Sequence, residues 1–513
     1  MTWRAVPGKH VVWTQLPMPP ALLEDVPHHR GNKVIVLRHD QATWQQLKDR
    51  GVTLPSPMVH YEWPGQWEPR QNQKRTAAFL AAHRKAICLN GMRTGKTLST
   101  IWASDYLQHQ GQVRRVLVVA PLSTHVTVWE RNYVYHLPHK RVALLRGNRE
   151  RKQQIAADTR IEVLVVNPES LGIVADYLKD VDLVVVDEAT AFKNARSKRW
   201  KCLDDIIKRQ RARLWLLTAS PTPQSPEDAY GLLRLLHPQY ISMRQWRDMT
   251  MVQVSTFKWV PKRKSSKTVA RWLQPSIRYT LADCGDVPSV QYEDIPCTLS
   301  AAQKRVLDEL KMTARSEFAD KSSVTATNAA AMLSKMLQVQ AGGVYGLDED
   351  SRRTVQALAA DDYYRAITEF VTEADTPVLV FAPFRSAAIA IEAHLRKKAQ
   401  LRTALIHGDV KRDDRNQAFD AVQAGTIQAL VAVPSTMSHG LTLNRSSYVL
   451  WAAPPFKAEE YSQANGRVLE AASNKHIVVA HIVPSKLATE LYSRLKSKAQ
   501  LQDTVLKLLA GEL

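Results

Sequence analysis

Residues Asn90–Thr97 read N-G-M-R-T-G-K-T, between the short apolar run Ala86–Leu89 and a stretch patterned as a helix. A Gly-rich turn from strand to helix points backbone N–H groups and the helix N-terminus at a polyphosphate. Lys96 has the reach for β- and γ-phosphates, and the Thr97 hydroxyl suits Mg²⁺. Roughly 90 residues on, Val184–Thr190 reads V-V-V-D-E-A-T, an apolar strand ending in two carboxylates. Asp187 is then placed to hold the metal through water and Glu188 to orient an attacking water, so the chemistry is hydrolysis of a nucleoside triphosphate. The loop departs from G-x-x-x-x-G-K-[ST] at Asn90. A G-K-T tripeptide alone is often an ordinary strand-to-helix turn; the Asp-Glu strand downstream removes most of that alternative.

The elements that must hold these residues follow an α/β pattern. From Arg70 to Pro238, apolar strands Ala86–Leu89, Val116–Ala120, Val163–Val166, Leu183–Val186 and Leu214–Thr218 alternate with amphipathic helices. The helix after the phosphate loop carries Leu98, Ile101, Trp102 and Tyr106 on one face. Near-continuous Val/Leu strands separated by helices predict a parallel sheet covered on both faces. A second alternation starts at Tyr363, with strands Val378–Phe381, Thr403–Ile406, Gln428–Val433, Tyr448–Ala452 and Ile477–Ile482, and has no phosphate loop of its own. Two lobes with one loop predict a nucleotide between them that drives their relative motion.

Residues 239–362 lie between the lobes and are less periodic, with helices expected at Leu299–Met312 and Ala329–Val339. The stretch Lys258–Lys267, which includes Lys262, Arg263 and Lys264, carries five cations and one aromatic and reads as a charged loop, either solvated surface or a phosphate contact. The domain limits expected are 1–66 for a small N-terminal accessory domain, 67–290 for the first lobe with the basic insertion, and 291–513 for the second lobe with a helical insertion and C-terminal helix. In the N-terminal block, Lys33–Leu37 reads as a strand and Asp40 as the cap of helix Gln41–Arg50. Trp3, Trp13, Trp44, Trp63 and Trp67 fall in or just past this block. They read as core of a small domain in preference to base-stacking platforms.

At 513 residues the chain exceeds a single core. A formal net charge of +21 and a pI near 9.8 point to a polyanion partner, because neutralised phosphates release counterions, though surplus cations also serve solubility. Cys88, Cys202, Cys284 and Cys297 show no metal or disulfide spacing and read as thiols of a reducing compartment. No run reaches the roughly 18 apolar residues of a membrane span, and no leader pattern opens the chain, so a soluble cytoplasmic protein is expected.

In their order, the segments P-R-Q-N-Q (Pro69–Gln73), N-G-M-R-T-G-K-T, V-V-A-P-L (Val118–Leu122), D-E-A-T-A-F-K-N (Asp187–Asn194), L-T-A-S-P-T-P (Leu217–Pro223), S-T-M-S-H-G-L-T-L-N (Ser435–Asn444) and Y-S-Q-A-N-G-R (Tyr461–Arg467) carry a resemblance. From about Trp67 to Leu508 the chain resembles the Snf-type (sucrose-non-fermenting) branch of superfamily 2 nucleic-acid motors, and especially its bacteriophage-encoded members. The resemblance implies two RecA-like lobes in tandem and a DNA-dependent ATPase using ATP and Mg²⁺. It implies that Gln73 reads the adenine edge, that Gly91, Thr94, Gly95, Lys96 and Thr97 cradle the phosphates with Gly440, and that Thr97 and Asp187 serve the metal. Thr218 and Ser220 would link hydrolysis to lobe closure. Arg467 would reach the γ-phosphate from the second lobe and stabilise transition-state charge.

Ser123, Asn167, Ser435 and Thr436 fall where the family contacts the DNA backbone, on the face away from the ATP loop; singly, each residue type is more often turn chemistry. The family's Gly-Thr is here Ala219-Ser220, and its second arginine after Arg467 is here Glu470. A carboxylate there would repel the γ-phosphate charge, so slow hydrolysis, or substitution by Arg445 or Lys475, is expected. The function implied is a motor that translocates on or remodels duplex or branched DNA without reading sequence, by branch migration, annealing or fork remodelling. It would act as a monomer, in the infected host cell if phage-encoded. A strand-separating DNA or RNA helicase and a low-turnover ATP-binding scaffold remain the alternatives.

Overall fold

The computed structural model describes residues 3–6, 10–15, 23–31, 33–223, 225–237, 241–255, 258–285, 289–320, 326–347, 353–437, 443–468 and 475–495. The chain divides after Cys284 into two compact units.

The first unit opens with a four-stranded antiparallel sheet of β1 (Arg4–Val6), β2 (Val11–Gln15), β3 (His28–Arg30) and β4 (Val34–Arg38), in the order β1-β2-β4-β3. Asp40 caps helix Gln41–Asp49 by accepting from the Thr43 N–H, as its position predicts. Trp3, Val12, Ile35, Leu37 and Leu47 form the core of this module, and Trp44 is buried. Trp63 packs instead on the core of the following lobe, and Trp67 stays 54% exposed, its ring against Tyr135 and His136. The core reading therefore holds for Trp3 and Trp44 and not for Trp67. Below the module lies a cleft of about 880 Å³ lined by His10, His39, His60, Tyr61, Asp105 and Lys140, among others. In its wall His39 Nδ1 and His60 Nε2 share a hydrogen bond of 2.9 Å.

The lobe that follows contains β5 (Lys85–Cys88), β6 (Val116–Val119), β7 (Val142–Leu144), β8 (Val163–Val166), β9 (Leu183–Val186) and β10 (Arg213–Leu217). A hairpin of β11 (Met251–Ser255) and β12 (Lys258–Pro261) comes next, then β13 (Ser276–Ile277), which joins the main sheet. That sheet runs β13-β5-β10-β9-β6-β8-β7, and every pairing is parallel. Alternate side chains feed two cores: Ile87, Leu117, Val119, Val184 and Leu216 on one face, and Ala86, Cys88, Val118, Val185 and Trp215 on the other. At roughly 1.5–3 kcal/mol per buried aliphatic side chain, these strands are stable only with helices on both faces, which is the α/β pattern expected. At the amino end of β6, Arg115 is 2% exposed, and its guanidinium donates to the carbonyls of Ala156, Asp158, Ile161 and Lys179 at 2.6–3.0 Å.

The stretch read as a charged loop has regular structure: β12 occupies Lys258–Pro261, and helix Ser265–Trp272 follows the turn of Lys262, Arg263 and Lys264. Val269 of that helix and Leu273, which caps its end, sink into the lobe core. The density of cations hid an i, i+4 apolar pair.

The second unit contains β14 (Ser289–Pro296), a hairpin of β15 (Gly343–Leu347) and β16 (Arg353–Ala357), and β17 (Val378–Phe381), β18 (Thr403–Ile406), β19 (Ala429–Ala432), β20 (Tyr448–Trp451) and β21 (His476–Val483). Its main sheet, β14-β21-β20-β17-β19-β18, is also parallel throughout. Helices Ala301–Asp320 and Ala326–Gln340 correspond to the two insertion helices expected, the first starting two residues after Leu299. Among the described residues, no helix is long and apolar enough to cross a membrane.

Candidate active site

Strands β5, β10 and β9 are neighbours, so the segments leaving their carboxyl ends meet at one edge of the first sheet: the phosphate loop after β5, Thr218–Ser220 after β10, and Asp187–Glu188 after β9. In open parallel sheets that edge is where ligands bind.

The loop is held from three sides. Asn90 is fully buried; its side-chain amide donates to Thr76 Oγ1 (2.9 Å), and its side-chain oxygen accepts from the Tyr279 N–H (2.8 Å). The asparagine therefore ties the loop to helix Gln71–Ala82 and to the segment leaving β13, ties a glycine lacks. Asn72 donates to the Thr94 carbonyl (3.0 Å), and the Thr94 hydroxyl donates to the Gly91 carbonyl (2.8 Å). Gly95 sits at φ +84°, and a Cβ there would stand 2.0 Å from Gln73 Nε2, so the predicted adenine reader lies directly against the loop. Gln73 is buried, and its side-chain oxygen accepts from the Arg70 N–H at 2.8 Å. The Lys96 ammonium donates to the carbonyls of Asn90 and Gly91 at 2.8 and 2.9 Å, at the start of helix Lys96–His109.

Asp187 is half-buried across the edge from the loop. Its carboxylate accepts from the Trp129 indole N–H (Oδ2, 3.0 Å) and from the Glu188 N–H (Oδ1, 3.1 Å). Burial raises its pKa, while the indole, the Lys96 charge and the Glu188 amide each pull it down. Cys88, beneath both, has its thiol pushed up to about 11 by burial, with Lys96 and Asp187 acting on it in opposite senses. Glu188 is held left-handed at φ +49°, a conformation that costs a non-glycine residue energy. The Thr218 N–H donates to the Cys88 carbonyl (3.1 Å), and its hydroxyl accepts from the Ser220 N–H (3.1 Å), binding the third segment to the first.

This donor set fits the expected ligands. The Thr97 hydroxyl and the Asp187 carboxylate are hard oxygen ligands suited to Mg²⁺. The glycine at position 95 leaves the backbone room that a phosphate requires, and Lys96 supplies the cation.

Ser123 and Asn167 follow β6 and β8, so both lie at the same carboxyl edge as the phosphate loop, farther along it and not on an opposite face. The reason is topological: an all-parallel sheet sends every strand's carboxyl end to one side. Asn167 donates to Glu169 (2.9 Å), and the Ser123 carbonyl accepts from the Thr127 hydroxyl (2.9 Å). Lys262, Arg263 and Lys264 are exposed; the Lys262 ammonium donates to the Asp248 carbonyl.

In the second unit, Ser435 and Thr436 form a short turn after β19, where the Thr436 hydroxyl donates to the Val433 carbonyl (2.6 Å). Arg467, 5% exposed, follows helix Ala458–Asn465, and its carbonyl accepts from the Leu443 N–H (2.9 Å). Gly440 and Glu470 lie outside the described residues. Of the two substitutes considered for the second arginine, Arg445 is exposed, and the Lys475 ammonium donates to the Asn444 carbonyl. The sequence reading missed Trp129, Asn72 and Thr76. Asn72 falls inside the P-R-Q-N-Q segment but was given no role there, Trp129 and Thr76 lie outside the motif segments, and only the fold brings the three to the loop and to Asp187.

Residues 60–342, over half of the chain, match the SNF2-related domain family. The chain belongs to that family. Residues 362–471 match the helicase conserved C-terminal domain, so this SNF2-related protein is an ATP-hydrolysing, helicase-like enzyme. It is 24% identical to putative protein p41 of Acyrthosiphon pisum secondary endosymbiont phage 1, over 86% of this chain and 98% of that protein. It is 20% identical to the uncharacterised ATP-dependent helicase YqhH of Bacillus subtilis, over 86% of this chain and 81% of that one. A solved structure of the Sulfolobus solfataricus SWI2/SNF2 ATPase core in complex with dsDNA aligns over 88% of this chain and 95% of its own, at 16% identity and a TM-score of 0.42.

Proposed function

We propose that this SNF2-related enzyme is a DNA-stimulated ATPase that translocates on or remodels duplex or branched DNA, through branch migration, annealing or fork remodelling. The observation that carries the reading is the convergence of the segments bearing Lys96, Asp187 and Thr218 at the ends of three adjacent strands of the first unit. The net charge of +21 supports a polyanionic track.

In this reading residues 1–66, 67–290 and 291–513 serve as accessory module, ATP-loop lobe and second lobe of a monomer. Gln73 reads adenine, Gly91, Thr94, Gly95 and Lys96 hold the phosphates with Gly440, and Thr97 and Asp187 hold Mg²⁺. When bound, Mg²⁺ neutralises developing charge on the phosphate oxygens. Glu188 orients the attacking water, and Arg467 stabilises γ-phosphate charge when the lobes close. Ser123, Asn167, Ser435, Thr436 and the Lys262–Lys264 turn contact phosphates and position the duplex without reading its sequence. The likeness to a phage protein supports a site of action in the infected bacterial cytoplasm.

The test is ATP turnover with duplex, single-stranded and forked DNA, with Glu188→Gln as the inactive control. Stimulation by duplex or fork supports translocation, stimulation by single strands alone means unwinding, and no stimulation means a scaffold. Lys96→Ala should lower turnover on the order of 10²–10³-fold, because it removes the phosphate-gripping cation. Wild-type turnover in that variant would remove Lys96 from the site.

A further inference from the structure

The segment from Ser123 to His136 joins two functions that the sequence keeps apart. Ser123 closes the loop after β6, and its carbonyl accepts from the Thr127 hydroxyl one helical turn on (2.9 Å). Residues His125–Glu130 wind as a π-helix, a wide turn that is rare and concentrated at functional sites. Two side chains of that turn point inward and are fully buried. His125 bonds the Ala120 carbonyl at the end of β6 (3.0 Å), and Trp129 donates its indole N–H to Asp187 Oδ2 (3.0 Å) at the end of the adjacent strand β9. A carboxylate that must accept metal-bound water is thus oriented by a donor on the helix that begins at the proposed DNA-contacting loop. Partners of metal ligands fix ligand orientation, and their loss typically weakens the site about 10–100-fold.

We propose that Trp129 is a positioning residue that carries the state of the Ser123 loop to Asp187, so that nucleic acid engaging the loop adjusts the metal-binding carboxylate. Trp129 does not touch substrate; it acts through Asp187. The DNA half of the inference rests on the function proposed above, whereas the indole–carboxylate bond does not.

Trp129→Phe keeps the ring and removes the donor. With its melting temperature close to wild type, the variant should bind Mn²⁺ about tenfold more weakly in the presence of ADP, read by electron paramagnetic resonance. Its affinity for a fluorescent ATP analogue without divalent metal should be unchanged, which a general loosening of the site would not spare. The ratio of turnover with and without duplex should fall by a similar factor, while duplex affinity by fluorescence anisotropy stays the same. Wild-type Mn²⁺ binding in the variant overturns the inference. A preserved stimulation ratio with weakened Mn²⁺ binding overturns its link to the loop. If wild type itself is not stimulated by any DNA, the functional reading fails, and the Mn²⁺ comparison still decides the role of Trp129. Thr127→Val, at a half-buried position, cuts the tie between loop and helix. It should lower the stimulation ratio with Mn²⁺ affinity intact, and an unchanged ratio counts against the link.

Discussion

At the scale of single residues, Asn90 reverses the usual expectation from a motif. Its amide is buried and bonded to both Thr76 and the Tyr279 N–H, so restoring the family's glycine removes two hydrogen bonds, one at the buried Thr76 hydroxyl and one at the half-buried Tyr279 N–H. Asn90→Gly should therefore destabilise the first unit by about 1–3 kcal/mol in chemical denaturation; a neutral or stabilising result would show the ties to be incidental. The residues that grip phosphate were legible because Gly95, Lys96 and Thr97 are contiguous, and because Asp187 and Glu188 end an apolar run. What Asn90 and Trp129 do was not legible. Their partners stand 189 and 58 positions away in the chain, and no local spacing encodes such pairings.

At the scale of elements, the N-terminal module meets the lobe beside a pair of histidines. Burial lowers the pKa of both His39 and His60, and each is further disfavoured as a cation by neighbouring imidazoles, with Asp40 opposing this at His39. Both groups bind protons more weakly folded than unfolded. Their contribution is thus complete above the ordinary value of 6.5 and is lost as pH falls through their lower folded values. Melting temperature should drop between neutral pH and about 5.5, and His60→Gln should flatten that slope; equal slopes would separate the pair from stability. The inner strands of both sheets were readable as unbroken Val/Leu runs. The edge strands β7, β13 and β14 were not: β7 and β13 are very short, and β14 alternates polar with apolar residues because one face and one edge meet solvent. The helix Ser265–Trp272 was hidden by its cations.

At the scale of the whole molecule, the charge of +21 makes a quantitative demand. If binding neutralises several phosphates, duplex affinity should fall by roughly 10³-fold or more between about 50 and 200 mM salt, measured by anisotropy. A flat salt dependence would refute a backbone-tracking mode. Composition announces a polyanion partner but not which face meets it, since net charge carries no coordinates; the parallel topology puts Ser123 and Asn167 on the same rim as the phosphate loop. The opposite rim has Arg115, whose guanidinium is wedged among four backbone carbonyls beneath the sheet. A keystone of that kind locks the foundation of the lobe while leaving its upper loops free to rearrange. Deuterium should enter the amides of the buried strands β6 and β8, which stand on that anchor, later than those of the loops above.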